Sequence, residues 1–269
     1  MSKPSRFPLG LDKLGGGNAP ARSRGDLLRP QRPLAQAAQD LARQEVPRGL
    51  GLDSEAVRKR MVDKLRAAGL RCEPVLAALA TVERHRFVDT ALATQAYEDT
   101  SLPIGLSQTI SKPSVVGHML ALLFEGAFAR ENGHLGQALE IGTGCGYQAA
   151  LLALLSRGLV SVERLQGLHD KARDNLASIR QGSNLRLVFG DGRLGHAPRA
   201  PYHSIIAAAG GEDLPAAWLD QLAPGGRLVA PMQAAGGGQR LVIVDRTAQG
   251  LVTQQQDAVH FVPLKSGVA

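Results

Sequence analysis

The chain has 269 residues, a hydrophobic fraction of 44% and a formal net charge of +7. That length and apolar content suit one or two domains with a proper core. Its two cysteines, Cys72 and Cys145, indicate no disulfide framework and point to a reducing cytoplasm, and neither a membrane span nor a signal-peptide core is expected. The basic character belongs to a tail. Residues 1–50 hold nine Lys/Arg against four Asp/Glu, with six prolines and six glycines. They are expected to form a disordered, basic extension, followed by a single domain over 51–269. A nucleic-acid-binding class would want aromatics among the basic residues, and the tail has only Phe7.

Order should begin near Asp53. Val57, Met61 and Leu65 recur at helical spacing, with Arg58, Lys59, Lys64 and Arg66 on the opposite face. Gly69 suits the end of that helix, and Pro74 opens a second one with Val75, Leu76, Leu79 and Val82 as its apolar stripe. Residues 84–112 look irregular, and His85 reads as a surface or packing residue. Pro113 starts a helix with Val116, Met119, Leu120 and Leu123 on its apolar face. Ser111, just before it, reads equally as a helix cap or as an active-site group.

The organising stretch follows, QALEIGTGCGYQ at 137–148. A short apolar run meets Gly142, Gly144 and Gly146, and a helix pattern follows from Tyr147 to Leu155. This is strand, tight turn, helix. Such a turn brings backbone close to a ligand, and the helix offers it free N–H groups and a positive dipole end. The dinucleotide fingerprint needs a third glycine at Tyr147, which disfavours a nicotinamide-linked oxidoreductase. Glu163 ends the next apolar run about 20 residues on, where α/β nucleotide folds place a carboxylate for ribose hydroxyls. Asp191-Gly192 follows a third run and reads either as a simple turn or as a contact to the base of a nucleoside.

Apolar runs at Leu159–Val162, Leu185–Phe189, Ser204–Ala208, Gly226–Ala230 and Leu241–Val244 predict strands. Helices are expected at Arg164–Arg180, near Arg193 and at Pro215–Leu222. The alternation argues a parallel sheet with helices on both faces. Glycine-rich turns at 236–238 and 249–250 argue hairpins, so the sheet should end in an antiparallel edge. The seven histidines show no metal-ligand spacing, and no metal site is expected.

Several motifs together resemble the protein-L-isoaspartate (D-aspartate) O-methyltransferases. They are RFVD at 86–89, AYED at 96–99, LPIG at 102–105, QTISKP at 108–113, LEIGTGCGYQAA at 139–150, SVER at 161–164, GDGRLG at 190–195, LDQLAPGGRLVAP at 219–231 and VHFVPL at 259–264. The match covers about residues 54 to 266, and QTISKP and VHFVPL are its most specific parts. The resemblance implies an α/β, Rossmann-like class I methyltransferase fold. Its mostly parallel seven-stranded sheet would have an antiparallel edge and an N-terminal helical addition over 51–125. It implies S-adenosyl-L-methionine as cofactor, with Gly142, Gly144 and Gly146 at its methionine part and Glu140 behind them. Glu163 would take the ribose hydroxyls, Asp191 and Gly192 would flank the adenine, and Ile110 would also touch the cofactor. Thr109, Ser111, Val262, Pro263 and Leu264 would hold the peptide, with Ser111 catalytic. The activity implied is methylation of the free α-carboxylate of L-isoaspartyl residues, in a cytoplasmic monomer whose partners are isoaspartyl proteins and peptides. The alternative is a same-fold enzyme acting on aspartate of a dedicated peptide precursor. Two departures stand out: Glu83 where the family commonly has proline, and Cys145 for a more usual serine. No G-x-S-x-G elbow is present, so Ser111 is expected to orient a carboxylate rather than attack anything.

Overall fold

Helical spacing of apolar residues decides the first elements of the computed structural model, which describes residues 55–177, 184–234 and 236–269. Met61, Val62 and Leu65 bury one face of α1 (Glu55–Ala67), while Lys59 and Lys64 stay exposed. Helix α2 (Glu73–Thr81) carries Pro74 in its first turn and buries Val75, Leu76 and Leu79. The extension expected over 1–50 lies outside the described residues. Among the described residues, no helix is long and apolar enough to cross a membrane.

Residues 84–112 correct the expectation of irregular chain. Two short 3-10 turns, Arg84–Phe87 and Thr90–Gln95, lead into an antiparallel hairpin of β1 (Leu102–Gly105) and β2 (Gln108–Ile110). Burial alternates along β1, but over four residues that include Pro103 and Gly105 it leaves no readable pattern in the sequence. Their connecting residues Leu106 and Ser107 take φ of +50° and +57° without the glycine or asparagine that usually announces such a turn. Lys171 holds the hairpin from outside, donating to the Ile104 carbonyl at 3.0 Å and to Asp89 at 3.1 Å. His85 is packed rather than free, with Nδ1 2.7 Å from the Tyr97 hydroxyl. Helices α3 (Pro113–Phe124) and α4 (Ala127–Asn132) follow.

The remaining chain builds the sheet: β3 (Gln137–Ile141), α5 (Tyr147–Leu155), β4 (Gly158–Glu163), α6 (Gln166–Asn175), β5 (Leu185–Phe189), β6 (Tyr202–Ala207), α7 (Ala216–Asp220), β7 (Leu222–Gln233), β8 (Gln239–Thr247) and β9 (Gly250–Val259). The strand order is β5-β4-β3-β6-β7-β8-β9, parallel as far as β7 and antiparallel beyond it. This is the expected seven-stranded sheet with an antiparallel edge. Successive residues alternate between two cores. Leu159, Ile206, Val229 and Ile243 face a layer containing α5 and α6, while Val160, Ile205, Leu228 and Val244 face one containing Trp218 of α7. Burial on both faces explains why these strands read as continuous apolar runs. Chain order turns back at β3, since β4 and β5 lie to one side of it and β6 and β7 to the other. That switch leaves a crevice at the carboxyl ends of the strands.

Two helix expectations shift, and the VHFVPL motif takes an irregular path. Among the described residues, the helix expected from Arg164 runs Gln166–Asn175, starting late because the Glu163 carboxylate first accepts from the amides of residues 164 and 165. The helix near Arg193 is two 3-10 turns, Gly192–Leu194 and Ala197–Arg199, separated at Gly195, which takes φ +60°. Of VHFVPL, only Val259 lies in a regular strand. The rest leaves the sheet edge and makes a single bridge, Pro263 to Gly210.

Arg84 fixes the 84–100 segment. It is fully buried, donates from Nε to the Ala96 carbonyl at 2.8 Å, and stacks 4.8 Å over the Tyr147 ring of α5. Arg84→Ala should therefore lower unfolding free energy by about 2–4 kcal/mol, since it leaves a buried carbonyl unpaired and opens a cavity. Arg84→Met, which refills the volume, should cost less. Urea denaturation midpoints of the three proteins check this, and equal midpoints would refute it.

Candidate active site

The crevice at the switch point is a cavity of about 510 Å³, a size suited to a small-molecule ligand. Its floor is the turn from β3 to α5. Gly142, Gly144 and Gly146 take φ of +89°, +57° and +93°, which lets the strand feed the helix within five residues. Gly146 has a second constraint. A Cβ there would sit 2.8 Å from Leu176, so α6 packs directly on the backbone. Gly146 provides no side-chain cap, leaving the first amides of α5 open toward a ligand.

Glu163 ties the turn to the next strand. One carboxylate oxygen accepts from the Gly144 amide at 2.9 Å, and the other accepts from the amides of Arg164 and Leu165, each at 2.9 Å. Only 5% of the residue is exposed, yet it lies on the cavity wall. It is thus a structural clasp as well as a candidate ribose ligand.

The predicted residues separate into two shells. Gly142, Gly144, Glu163 and Gly192 line the cavity, as do Ile110, Thr109 and Ser111 from the hairpin and Val262, Pro263 and Leu264 from the segment after β9. Glu140, Gly146 and Asp191 do not. Glu140 is fully buried beneath the turn, where Oε2 accepts from the Ser161 hydroxyl at 2.5 Å, and that hydroxyl lies 2.6 Å from Thr143 Oγ1. Asp191 uses one oxygen to accept from Arg193 N at 2.9 Å and the other from Gly267 N at 2.7 Å. Gly192 carries a packing constraint that neither reading of Asp-Gly contains. A Cβ there would fall 2.5 Å from Ile141 Cγ2, and its carbonyl accepts from the Trp218 indole at 2.8 Å. Close packing against the end of β3, rather than turn formation alone, demands glycine.

Sequence reasoning missed other wall residues. Leu106 and Ser107 come from the hairpin it did not foresee; Arg164 lay inside the SVER motif without being singled out, and Lys265 lay just past VHFVPL. Cys145 is on the wall too, and burial pushes its thiol up to about 11, so it acts as a small apolar residue.

A second cleft of about 420 Å³ adjoins the first. It shares Thr109, Ser111, Ala208 and Val262 with it and adds Lys112 and His260. Ser111 therefore stands on the partition between two cavities. One is floored by the glycine turn, while the other opens beside β9 and carries two basic side chains and no carboxylate.

Burial pushes the Glu140 carboxyl up to about 8, against the lowering effect of the Ser161 hydroxyl. Between its ordinary value of 4.5 and about 8, the folded chain keeps a proton that the unfolded chain has lost. This carboxyl therefore subtracts stability progressively as pH rises through that window. Glu140→Gln removes the titration. Its melting temperature relative to the unsubstituted protein should climb from about pH 5 to about pH 8, and a gap independent of pH would refute the buried acid.

Comparison with known proteins adds three findings. A family model described as "Protein-L-isoaspartate(D-aspartate) O-methyltransferase" matches residues 56–269. The chain is 61% identical over 266 residues to the protein-L-isoaspartate O-methyltransferase of Methylibium petroleiphilum, covering 97% of this chain and 96% of that one. It is 57% identical over 244 residues to that of Leptothrix cholodnii, covering 90% and 84%. Among solved structures, a protein-L-isoaspartate O-methyltransferase superposes with a TM-score of 0.69 at 23% identity, covering 78% of this chain and 67% of its own. A Plasmodium falciparum structure in complex with S-adenosyl-L-homocysteine gives 0.67 at 20% identity, covering 77% and 98%. At those identities the structures speak for the fold alone.

Proposed function

The chain belongs to the protein-L-isoaspartate(D-aspartate) O-methyltransferase family, and from that premise we propose how its two cavities carry the reaction. The enzyme methylates the free α-carboxylate of L-isoaspartyl residues, with S-adenosyl-L-methionine as methyl donor. The observation that carries our assignment of parts is the partition at Ser111, where a glycine-floored cavity meets a cleft beside residues 260–262. A two-substrate transfer needs such a junction, with the donor on one side and the acceptor on the other.

The residues fit the donor. The glycine backbone leaves room for close approach, the amides of α5 offer an anion site, and the Glu163 carboxylate sits on the wall where hydroxyl donors would reach it. Bound there, S-adenosyl-L-methionine supplies a methyl group already activated by a sulfonium centre. The acceptor carboxylate has a reference pKa near 4 and is ionised at neutral pH, so no general base is required. What remains for the protein is alignment and exclusion of water, and orientation can supply about 7–11 kcal/mol of such a barrier. Ser111 donates a hydrogen bond that orients the acceptor carboxylate. Lys112 gives the acceptor cleft a cationic side chain that favours an anionic peptide group. The methyl ester then loses methanol as the following backbone nitrogen attacks it, forming a succinimide whose hydrolysis partly restores aspartate. The outcome is repair of aged proteins. A monomer in a reducing cytoplasm belongs to the same proposal; Cys72 and Cys145 are both free thiols.

An isoaspartyl link carries the free carboxylate on the α-carbon and lengthens the main chain by one methylene. A cleft that fixes the peptide backbone fixes where that carboxylate sits. Labelled S-adenosyl-L-methionine offered with paired peptides should methylate the isoaspartyl member at least about 100-fold faster than its aspartyl twin, since displacement by about 1 Å costs that much. Equal rates would overturn the repair assignment.

Ser111→Ala should lower kcat about tenfold or more while the Kd for the cofactor, measured by calorimetry, stays within about twofold. Unchanged kcat would reduce Ser111 to a residue that only precedes α3.

A further inference from the structure

After β9 the chain joins the cavity wall through Val262, Pro263, Leu264 and Lys265 and then runs on beyond it. At one side the segment is fixed beside the end of β6, where Gly210 N donates to the Val262 carbonyl at 2.8 Å and Leu264 N donates to the Gly210 carbonyl at 2.7 Å. Lys265 then joins the cavity wall. At the far side the segment meets the ends of β4 and β5. Gly267 N donates to Asp191 Oδ2 at 2.7 Å, and its carbonyl accepts from Arg164 Nε at 2.9 Å. Ala269 N donates to the Arg164 carbonyl at 2.8 Å, and Gln166 N donates to the Ala269 carbonyl at 2.7 Å. Since β3 lies between β6 and β4, the two anchor points stand on either side of the strand that feeds the glycine turn.

The far half is held by polar contacts, with every residue from Lys265 to Ala269 exposed. Bonds of this kind open without unfolding a core. Gly267 takes φ +74°, which favours glycine, and its N–H and C=O serve two different strands at once. Asp191 has both oxygens occupied by amides, one of them from this segment, so the crossing also fixes the orientation of that carboxylate.

We propose that residues 265–269 form a strap that closes the cofactor cavity, and that Arg164 is a positioning residue for the cofactor, acting by latching Gly267. The strap must open for the spent cofactor to leave. This rests on the reading that the cavity holds S-adenosyl-L-methionine and its demethylated product.

The test uses the full chain, with S-adenosyl-L-homocysteine as probe. Gly267→Pro removes the N–H given to Asp191 and cannot adopt φ +74°, while Arg164→Ala removes the other latch. Each should weaken binding about tenfold, mainly through faster dissociation, with an unchanged ligand-free melting temperature. The double variant should be no weaker than either single one, because both release the same strap. Additive losses would make Arg164 a direct ligand contact and overturn its role as a latch. Unchanged affinity and dissociation in both variants would make the segment a passive crossing. Hydrogen exchange on the unsubstituted protein gives a check independent of folding. The amides of Gly267 and Ala269 should gain protection when the probe binds, and loss of protection would overturn closure. Failure of the unsubstituted protein to bind the probe would sink the cofactor reading and the strap together. Normal binding with unaffected variants would sink the strap alone.

Discussion

The Glu163 carboxylate is the contact on which the site's geometry depends. A carboxylate that accepts three backbone N–H groups binds each more strongly than a neutral acceptor would. Here those groups come from Gly144 in the turn after β3 and from Arg164 and Leu165 after β4. The clasp fixes the distance between two adjacent strand ends, and so the width of the cavity they flank. It also stops β4 from running straight into α6, which starts only at Gln166. Any ligand hydroxyl that reaches Glu163 meets a group already held in place, so little freedom is lost on binding.

Beneath the clasp lies a polar column with an opposite character. Glu140, Ser161 and Thr143 pass hydrogen bonds upward through the layer between the sheet and α5. The β3–β4 register sets Glu140 directly opposite Ser161, so the column follows from strand pairing. Its acid is buried deeply enough to hold a proton near neutral pH, whereas the surrounding core is apolar. The turn above it is therefore supported by a hydrogen-bonded strut instead of by packing alone.

The walls come from parts of the chain far apart in sequence. The β1–β2 hairpin supplies Thr109, Ile110 and Ser111, and the segment after β9 supplies Val262, Pro263 and Leu264. Lys171 holds the first wall and Gly210 the second. Both lie at the carboxyl ends of the parallel strands, where strand order reverses and no helix covers the sheet. Thr109, Ser111, Ala208 and Val262 line both cavities there.

By itself the sequence determined the sheet class, the glycine turn, the acid that follows it and the family, because each is a local pattern. Alternating and continuous apolar runs report burial on the two faces of each strand. Glycines at alternate positions report a turn that other residues cannot make. The antiparallel edge was legible from the glycine-rich turns at 236–238 and 249–250, which are too short for crossover helices. Only the tertiary structure decided that Glu140 and Asp191 stand behind the wall, that Gly192 packs against Ile141, and that Arg164 and Lys265 line the cavity. Those facts depend on which strand ends become neighbours and on what the chain lays across them. Such contacts join residues as far apart as Arg164 and Gly267, and no periodicity along the chain records them.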